Sequence, residues 1–494
     1  MTFFFSGPTL FFRTVLAMGM SIILSAATGA QTAQTTTPIE HLIVIYQENV
    51  SFDHYFATYP HAANLPGEPR FDAAADTPAV NGLSDTLLQY NPNAAQPFRL
   101  SPKQAATCDM DHGYTAEQQA ANHGLMDKFV EFSGPKRGCD RRLVMGYFDG
   151  NTVHALWSYA QRFAMSDNHF GTTFGPSTVG ALNLIAGQTA GATIKNLVAR
   201  NATKEPLVVE GTVIGDPQPQ YDDCSTRETI AMTGRNVGDL LNAKDISWGF
   251  FTGGFRSDQR AAQGKAVCRA AHTGSAGKLM GDYLPHHEPF QYYASTANPH
   301  HLPPSRVTLI GQSDQANHQY DLEDFWLAAQ AGNLPAVSYL KAAAYQDGHA
   351  GYSDPLAEQA FLTQTIERLQ HLREWPRMAI IITYDDSDGW YDHVMPPIIN
   401  QSSLRGIDAL TGPGQCGSLK PGAYAGRCGY GPRLPLLVIS PYAKRNFVDH
   451  HLTDQTSILR FIEDNWRLGH IGNQSFDERA GSLLNLFDFT RAKK

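Results

Sequence analysis

Charge is scarce in this chain. Only 17% of its 494 residues are charged, and the balance is negative, at −9. Proteins that neutralise nucleic-acid phosphates carry basic patches, so that class is excluded. So little charge also argues against long disordered tails. No Cys-x-x-Cys pair occurs, which removes zinc knuckles and thioredoxin-like redox sites. Internal repeats and low-complexity segments are absent. Ser177 lies in Gly-Pro-Ser-Thr, outside the Gly-x-Ser-x-Gly elbow of esterase triads.

The first 30 residues read as a leader. Arg13 precedes an apolar, small-residue run from Val15 to Leu24, and residues 25–30 offer small side chains to a peptidase. This predicts a secretory signal over 1–30 with cleavage near Ala30. The run is shorter than the ~20 residues a bilayer span needs, so no stable membrane span is expected after cleavage. The mature protein is expected in the periplasm or outside the cell. Six cysteines in that oxidising setting imply disulfides. Nearest-neighbour pairing is favoured because each pair falls in a loop-rich stretch: Cys108–Cys139, Cys224–Cys268 and Cys416–Cys428.

The rest predicts one α/β domain over 31–494. Strand patterns fall near 41–46, 163–168, 246–251, 336–340, 379–384 and 434–440. Helical patterns fall near 114–132, 151–160, 177–185, 236–241, 354–369 and 457–466. Strands alternating with helices give a mostly parallel sheet flanked by helices. Long loop insertions are expected near 57–107, 196–234 and 253–305. Asp354-Pro355 is an N-cap followed by proline, a good helix start. Pro176 suits the first position of a helix, which would put Ser177 in the first turn.

Two strands end in polar chemistry. The run Ala379–Tyr384 stops at Asp385-Asp386, and His41–Gln47 stops at Glu48-Asn49. Ligands in open α/β sheets bind at the carboxyl ends of strands. An all-oxygen set suits a hard cation such as calcium or magnesium, and recruited histidines would allow zinc or iron. Taken alone, Asp385-Asp386 could equally cap a helix or sit in a solvated turn. Ser177 could be a simple N-cap. It could also be a nucleophile, since a helix N-terminus favours a developing alkoxide and an incoming phosphate. Histidines in Asp111-His112, His286-His287, Gly348-His349 and Asp392-His393 occupy loops of the kind that carry function. His300-His301 is expected on the surface.

Four stretches together resemble the bacterial phosphoesterase family of secreted phospholipases C and respiratory-burst-inhibiting acid phosphatases. They are Gln47–Phe56, Thr173–Thr178, Tyr384–Val394 and Thr456–Trp466. The likeness runs through nearly all of the chain after the leader. It implies an alkaline-phosphatase-like sandwich and one divalent metal ion (calcium, magnesium or zinc) held by Glu48, Asn49, Asp385 and Asp386. It implies Ser177 as nucleophile, passing through a phosphoserine. His286, His287 and His349, with Asp111 or His112, would line the phosphate and leaving-group side, and Asp109 competes for the last role. The expected substrates are small phosphate esters, with phospholipids as the alternative. Two departures favour the acid-phosphatase branch. Val179-Gly180-Ala181-Leu182-Asn183 stands where phospholipases carry a Pro-Asn-Arg-like run, and Asp-Asp stands where they carry Asp-Glu. The expectation is therefore a secreted acid phosphatase; the alternative is a phospholipase C or other phosphodiesterase. A non-catalytic relative should lack Ser177 or the acids, which are present. A sulfatase is disfavoured because no Cys/Ser-x-Pro-x-Arg motif surrounds Ser177.

Overall fold

The computed structural model describes residues 1–7, 34–135, 138–196, 206–257, 259–412 and 415–490. The chain divides into two units, residues 1–34 and 35–494. The predicted cleavage point near Ala30 lies outside the described residues. Among the described residues no helix is long and apolar enough to cross a membrane.

The second unit is built around an eight-stranded sheet. In chain order the strands are β1 (His41–Gln47), β2 (Ala164–Ser166), β3 (Trp248–Thr252), β4 (Gln319–Asp321), β5 (Val337–Lys341), β6 (Met378–Tyr384), β7 (Leu436–Ile439) and β8 (Phe447–Asp449). Across the sheet they run β4–β3–β5–β1–β6–β7–β2–β8. Only β7 runs against the others.

The near-continuous apolar strands are explained by burial on both faces. Side chains alternate between two cores. Leu42, Val44, Ala379 and Ile381 face helices α1 (Ser177–Ala186) and α4 (Thr456–Trp466). Ile43, Ile45, Ile380 and Ile382 face α2 (Leu322–Ala331) and α3 (Pro355–Gln370). Each fully buried aliphatic side chain contributes about 1.5–3 kcal/mol. Asp354 caps α3 through the N–H groups of Leu356 and Ala357, and Leu362, Ile366 and Leu369 form its buried stripe.

Register fixes the site. Gln47 pairs with Tyr384 and Ile45 with Leu340. The three central strands therefore deliver Glu48, Asp385 and Lys341 to one edge of the sheet.

Several elements differ from the sequence reading. The 114–132 pattern breaks into Tyr114–Ala121 and Phe129–Phe132, because Asn122 takes a left-handed φ of 40°. The 196–234 region is less irregular than expected: Thr229–Met232 pairs with Ala192–Asn196 and Gln218–Pro219 in a small sheet. Pro176 is the N-cap of α1, so Ser177 is its first helical residue. All three cysteine pairs form as expected, with Cα separations of 6.4, 5.9 and 5.8 Å.

Candidate active site

Ser177 meets the ends of both strands. Its Oγ lies 3.1 Å from Glu48 Oε2, 3.3 Å from Asn49 Oδ1 and 3.1 Å from Asp386 Oδ2. Asp385 Oδ1 accepts from the backbone N–H groups of Asn49 at 3.0 Å and Asp386 at 2.8 Å. All five residues are buried. A hydroxyl has one proton to donate, yet three acceptors surround this one.

Local backbone aims these groups. Asn49 and Asp388 hold left-handed φ values of 61° and 55°. Asparagine and aspartate tolerate that region best among residues with a Cβ, and such conformations concentrate at functional sites. Asp388 Oδ1 accepts from Asn49 Nδ2 at 3.1 Å and locks the amide so that its oxygen points to Ser177. Around α1, Asp216 accepts from Thr178 N–H at 2.9 Å. Glu117 accepts from Gly175 N–H at 3.0 Å and from Ser387 Oγ at 2.7 Å, joining the serine turn to the acidic loop.

Gly180 is required by close approach. A Cβ there would lie 1.9 Å from the Asp385 carbonyl oxygen. Gly180→Ala should therefore displace Asp385 at an overpacking cost of about 1–3 kcal/mol. Thermal unfolding checks this as a lowered Tm.

The site is short of positive charge. Burial pushes the Glu48 carboxyl up to about 7 despite Lys341. Burial pushes Asp385 well above the carboxylate range, reinforced by Glu48, and Asp386 likewise, reinforced by Asp385. Asp385 Oδ2 is buried without a hydrogen-bond partner among the described residues. Clustered buried carboxylates with an orphaned oxygen fit a bound cation. The set Glu48, Asn49, Asp385 and Asp386 is all oxygen, which suits a hard ion.

The histidines sort themselves. His112 Nδ1 lies 3.1 Å from Asp388 Oδ1 and 3.7 Å from the largely solvent-facing Asp109. Asp111 N–H donates to the carbonyl of Ser133, just after the Phe129–Phe132 helix, at 2.8 Å. The His112 ring meets the acidic loop at Asp388. Burial opposes charge on it, but Asp386 and Asp388 outweigh burial and raise it well above the usual imidazole range. The His349 ring stacks on Tyr352 at 4.3 Å and lies 6.3 Å from His112. His287 Nδ1 is 3.1 Å from Glu48 Oε1, and the His286 ring packs on His287 at 4.2 Å. Burial lowers His286 to about 3, keeping it neutral.

Two histidines depart from their expected places. Asp392-His393 belongs to a buried ion network outside the serine cluster. Asp53 meets His393 at 2.6 Å and Arg433 at 2.9 Å, and Arg433 reaches Asp392 at 3.1 Å. It ties the segment after β1 to the one after β6. Arg433→Met should cost about 3–5 kcal/mol by stranding buried charge, read as a lowered Tm. His301 is buried rather than exposed: Nε2 lies 2.9 Å from Asp222 and the ring stacks on Phe255 at 4.0 Å.

Lys341, Asp347, Asp388, Glu117 and Asp216 surround the site without having been singled out in the sequence. Lys341 alone carried a usable signal, since it ends an apolar strand run as Glu48 and Asp385 follow theirs. The others act from loops or a polar helix, where nothing in the pattern marks them.

An α/β sheet whose strand ends bring acids around a helix-borne serine defines a scaffold for phosphoester hydrolysis. The Phosphoesterase family model matches residues 39–469, and the chain belongs to that family. It is similar to the non-hemolytic phospholipase C of Burkholderia pseudomallei, 25% identical over 92% of this chain and 58% of that protein. It is also similar to phospholipase C A of Mycobacterium tuberculosis, 24% identical over 89% of this chain and 77% of that protein. The chain thus spans less than two thirds of the Burkholderia relative. Among solved structures it is similar to murine ectonucleotide pyrophosphatase/phosphodiesterase 5, at 9% identity and a TM-score of 0.35, covering 68% of this chain and 95% of that one.

Proposed function

We propose that this chain hydrolyses phosphodiesters in the manner of a phospholipase C, with Ser177 as the nucleophile. The observation that carries the reading is Ser177 Oγ within 3.1–3.3 Å of Glu48, Asn49 and Asp386 at the start of α1. A divalent cation held by Glu48, Asn49, Asp385 and Asp386 would supply positive charge to the serine oxygen and to phosphate. Its identity is open among calcium, magnesium and zinc.

The chain's own groups account for the remainder. Ser177 Oγ gives its proton to a neighbouring carboxylate, Glu48 or Asp386, and bonds to phosphorus in line. The P–O bond to the leaving group breaks opposite. His112, the imidazolium paired with Asp388, protonates the departing alkoxide. Water then attacks phosphorus and gives a proton to the now neutral His112, the Oγ–P bond breaks, and Ser177 takes its proton back from the carboxyl that received it. His286, His287 and His349 shape the phosphate side and hold phosphorus in line for each displacement.

The expectation of an acid phosphatase is replaced as first reading for two reasons. The relatives are phospholipases C by name. The run 179–183, expected to mark a phosphatase, has a packing explanation: it is wholly buried in α1, Gly180 clears Asp385, and Asn183 bonds Thr173 at 3.0 Å. Asp386, one methylene shorter than glutamate, still favours phosphomonoesters and keeps that second reading alive. The three disulfides support an exported, oxidised location.

Steady-state kinetics on phosphatidylcholine and p-nitrophenyl phosphate separate the readings. The diester should show the higher kcat/KM. A clear preference for the monoester would install the acid phosphatase instead, and no hydrolysis of either by cation-loaded protein would remove both.

A further inference from the structure

Glu48 divides its oxygens between two settings. Oε2 meets Ser177 at 3.1 Å. Oε1 forms an ion pair with Lys341 Nζ and lies 3.1 Å from His287 Nδ1. His287 Nδ1 is in turn 4.0 Å from Asp347 Oδ2. Donor atoms of Glu48, His287 and Asp347 all lie within 4.8 Å of one another, and all three residues are buried. The other nitrogen of His287, Nε2, is buried with no hydrogen-bond partner among the described residues.

One imidazole and two carboxylates form a ligand set used by zinc and related ions. In a tetrahedral site with bonds of about 2.0–2.1 Å, donors stand about 3.3 Å apart. The 3.1 Å separation is close to that value, and Asp347, at 4.0 Å, would have to move in by well under 1 Å. What fills the positive role is Lys341. Its side chain is 1% exposed and its Nζ lies 4.6 Å from the centre of the Tyr46 ring. Glu48, Asp347 and Asp385 all sense its charge. It arrives on β5, the strand beside β1, so sheet register fixes its place.

We propose that Lys341 is a tethered cation standing where a second metal ion would sit, and that Glu48, His287 and Asp347 form a latent divalent-cation site which opens when the ammonium is removed. The inference rests on the reading that Glu48, Asn49, Asp385 and Asp386 hold a cation of their own. It makes the chain mononuclear by construction. A fixed ammonium cannot be lost by chelation or exchanged, so one of the three positive charges that the divalent cation and Lys341 bring to Glu48 would be permanent.

The test is metal stoichiometry, independent of turnover. Full-length wild type, Lys341→Ser, Lys341→Arg and the double variant Lys341→Ser/His287→Gln are dialysed against zinc. Bound metal per chain is then measured by elemental analysis, with folding checked by circular dichroism. Wild type and K341R should bind about one ion, K341S about two, and the double variant about one, a twofold change confined to K341S. A folded K341S that still binds one ion overturns the inference, as does a double variant that keeps two. Wild type binding two would mean that Lys341 excludes nothing. Wild type binding none removes the first-site reading instead, and the inference with it. Where K341S is recovered only in zinc-containing buffer, the count is made on protein refolded with zinc, and failure to fold with zinc present also overturns the proposal.

Discussion

Ser177→Ala should lower kcat on phosphate esters by about 10³-fold or more while leaving the chain folded and its cation bound. The expected size follows from the proposed division of labour. The carboxylates and the cation only prepare an oxygen that alanine lacks. Removal of the hydroxyl leaves a small space beside Glu48, Asn49 and Asp386, whose other contacts persist. The stability change should stay within about 1 kcal/mol, the size of one hydrogen bond. Thermal unfolding and metal content, measured beside the kinetics, separate loss of chemistry from loss of structure. Near-normal turnover in a folded, loaded S177A protein would move the nucleophile elsewhere.

Chelation should abolish activity and make stability depend on pH with a definite sign. Burial raises Glu48 from 4.5 to about 7, and raises Asp388 to about 6. Burial raises Asp385 and Asp386 well above the carboxylate range. A carboxyl whose folded value is raised stabilises the fold while protonated. For Glu48 that contribution is fully present below about 4.5 and is lost as pH climbs through about 7. Metal-free protein should therefore weaken across that window. A bound cation works the other way, because it competes with protons and holds better as pH rises. At a thousandfold excess over its Kd it adds about 4 kcal/mol. The Tm difference between loaded and chelated protein should be wider near pH 7.5 than near pH 4.5. A difference that narrows with rising pH would mean that these carboxyls do not hold the cation.

Much of this arrangement was legible because it is carried by strands. An apolar run ending in Asp385-Asp386, and another ending in Glu48-Asn49, announce a parallel sheet and the polar edge where its ligands gather. Pairing of Gln47 with Tyr384 then places both ends together. Ser177 was legible for a related reason: a proline before an apolar helix marks an N-terminus. The histidines were not resolved by pattern. His112 and Asp111 are adjacent in sequence, and only the fold joins His112 to Asp388. His301 looked like half of a polar surface pair, yet it is buried against Asp222 and Phe255, a contact made across a long insertion. Gly180 is the opposite case. Its identity reads as a substrate signature until the Asp385 carbonyl is seen lying where its side chain would be.

Acid-quenched enzyme, mixed with substrate and digested for mass spectrometry, tests the role of Ser177 most directly. A serine nucleophile requires a phosphorus adduct on the peptide carrying Ser177, formed during turnover, cleared when substrate is spent, and absent from S177A. Turnover with Ser177 unmodified and the adduct on a different residue would contradict it.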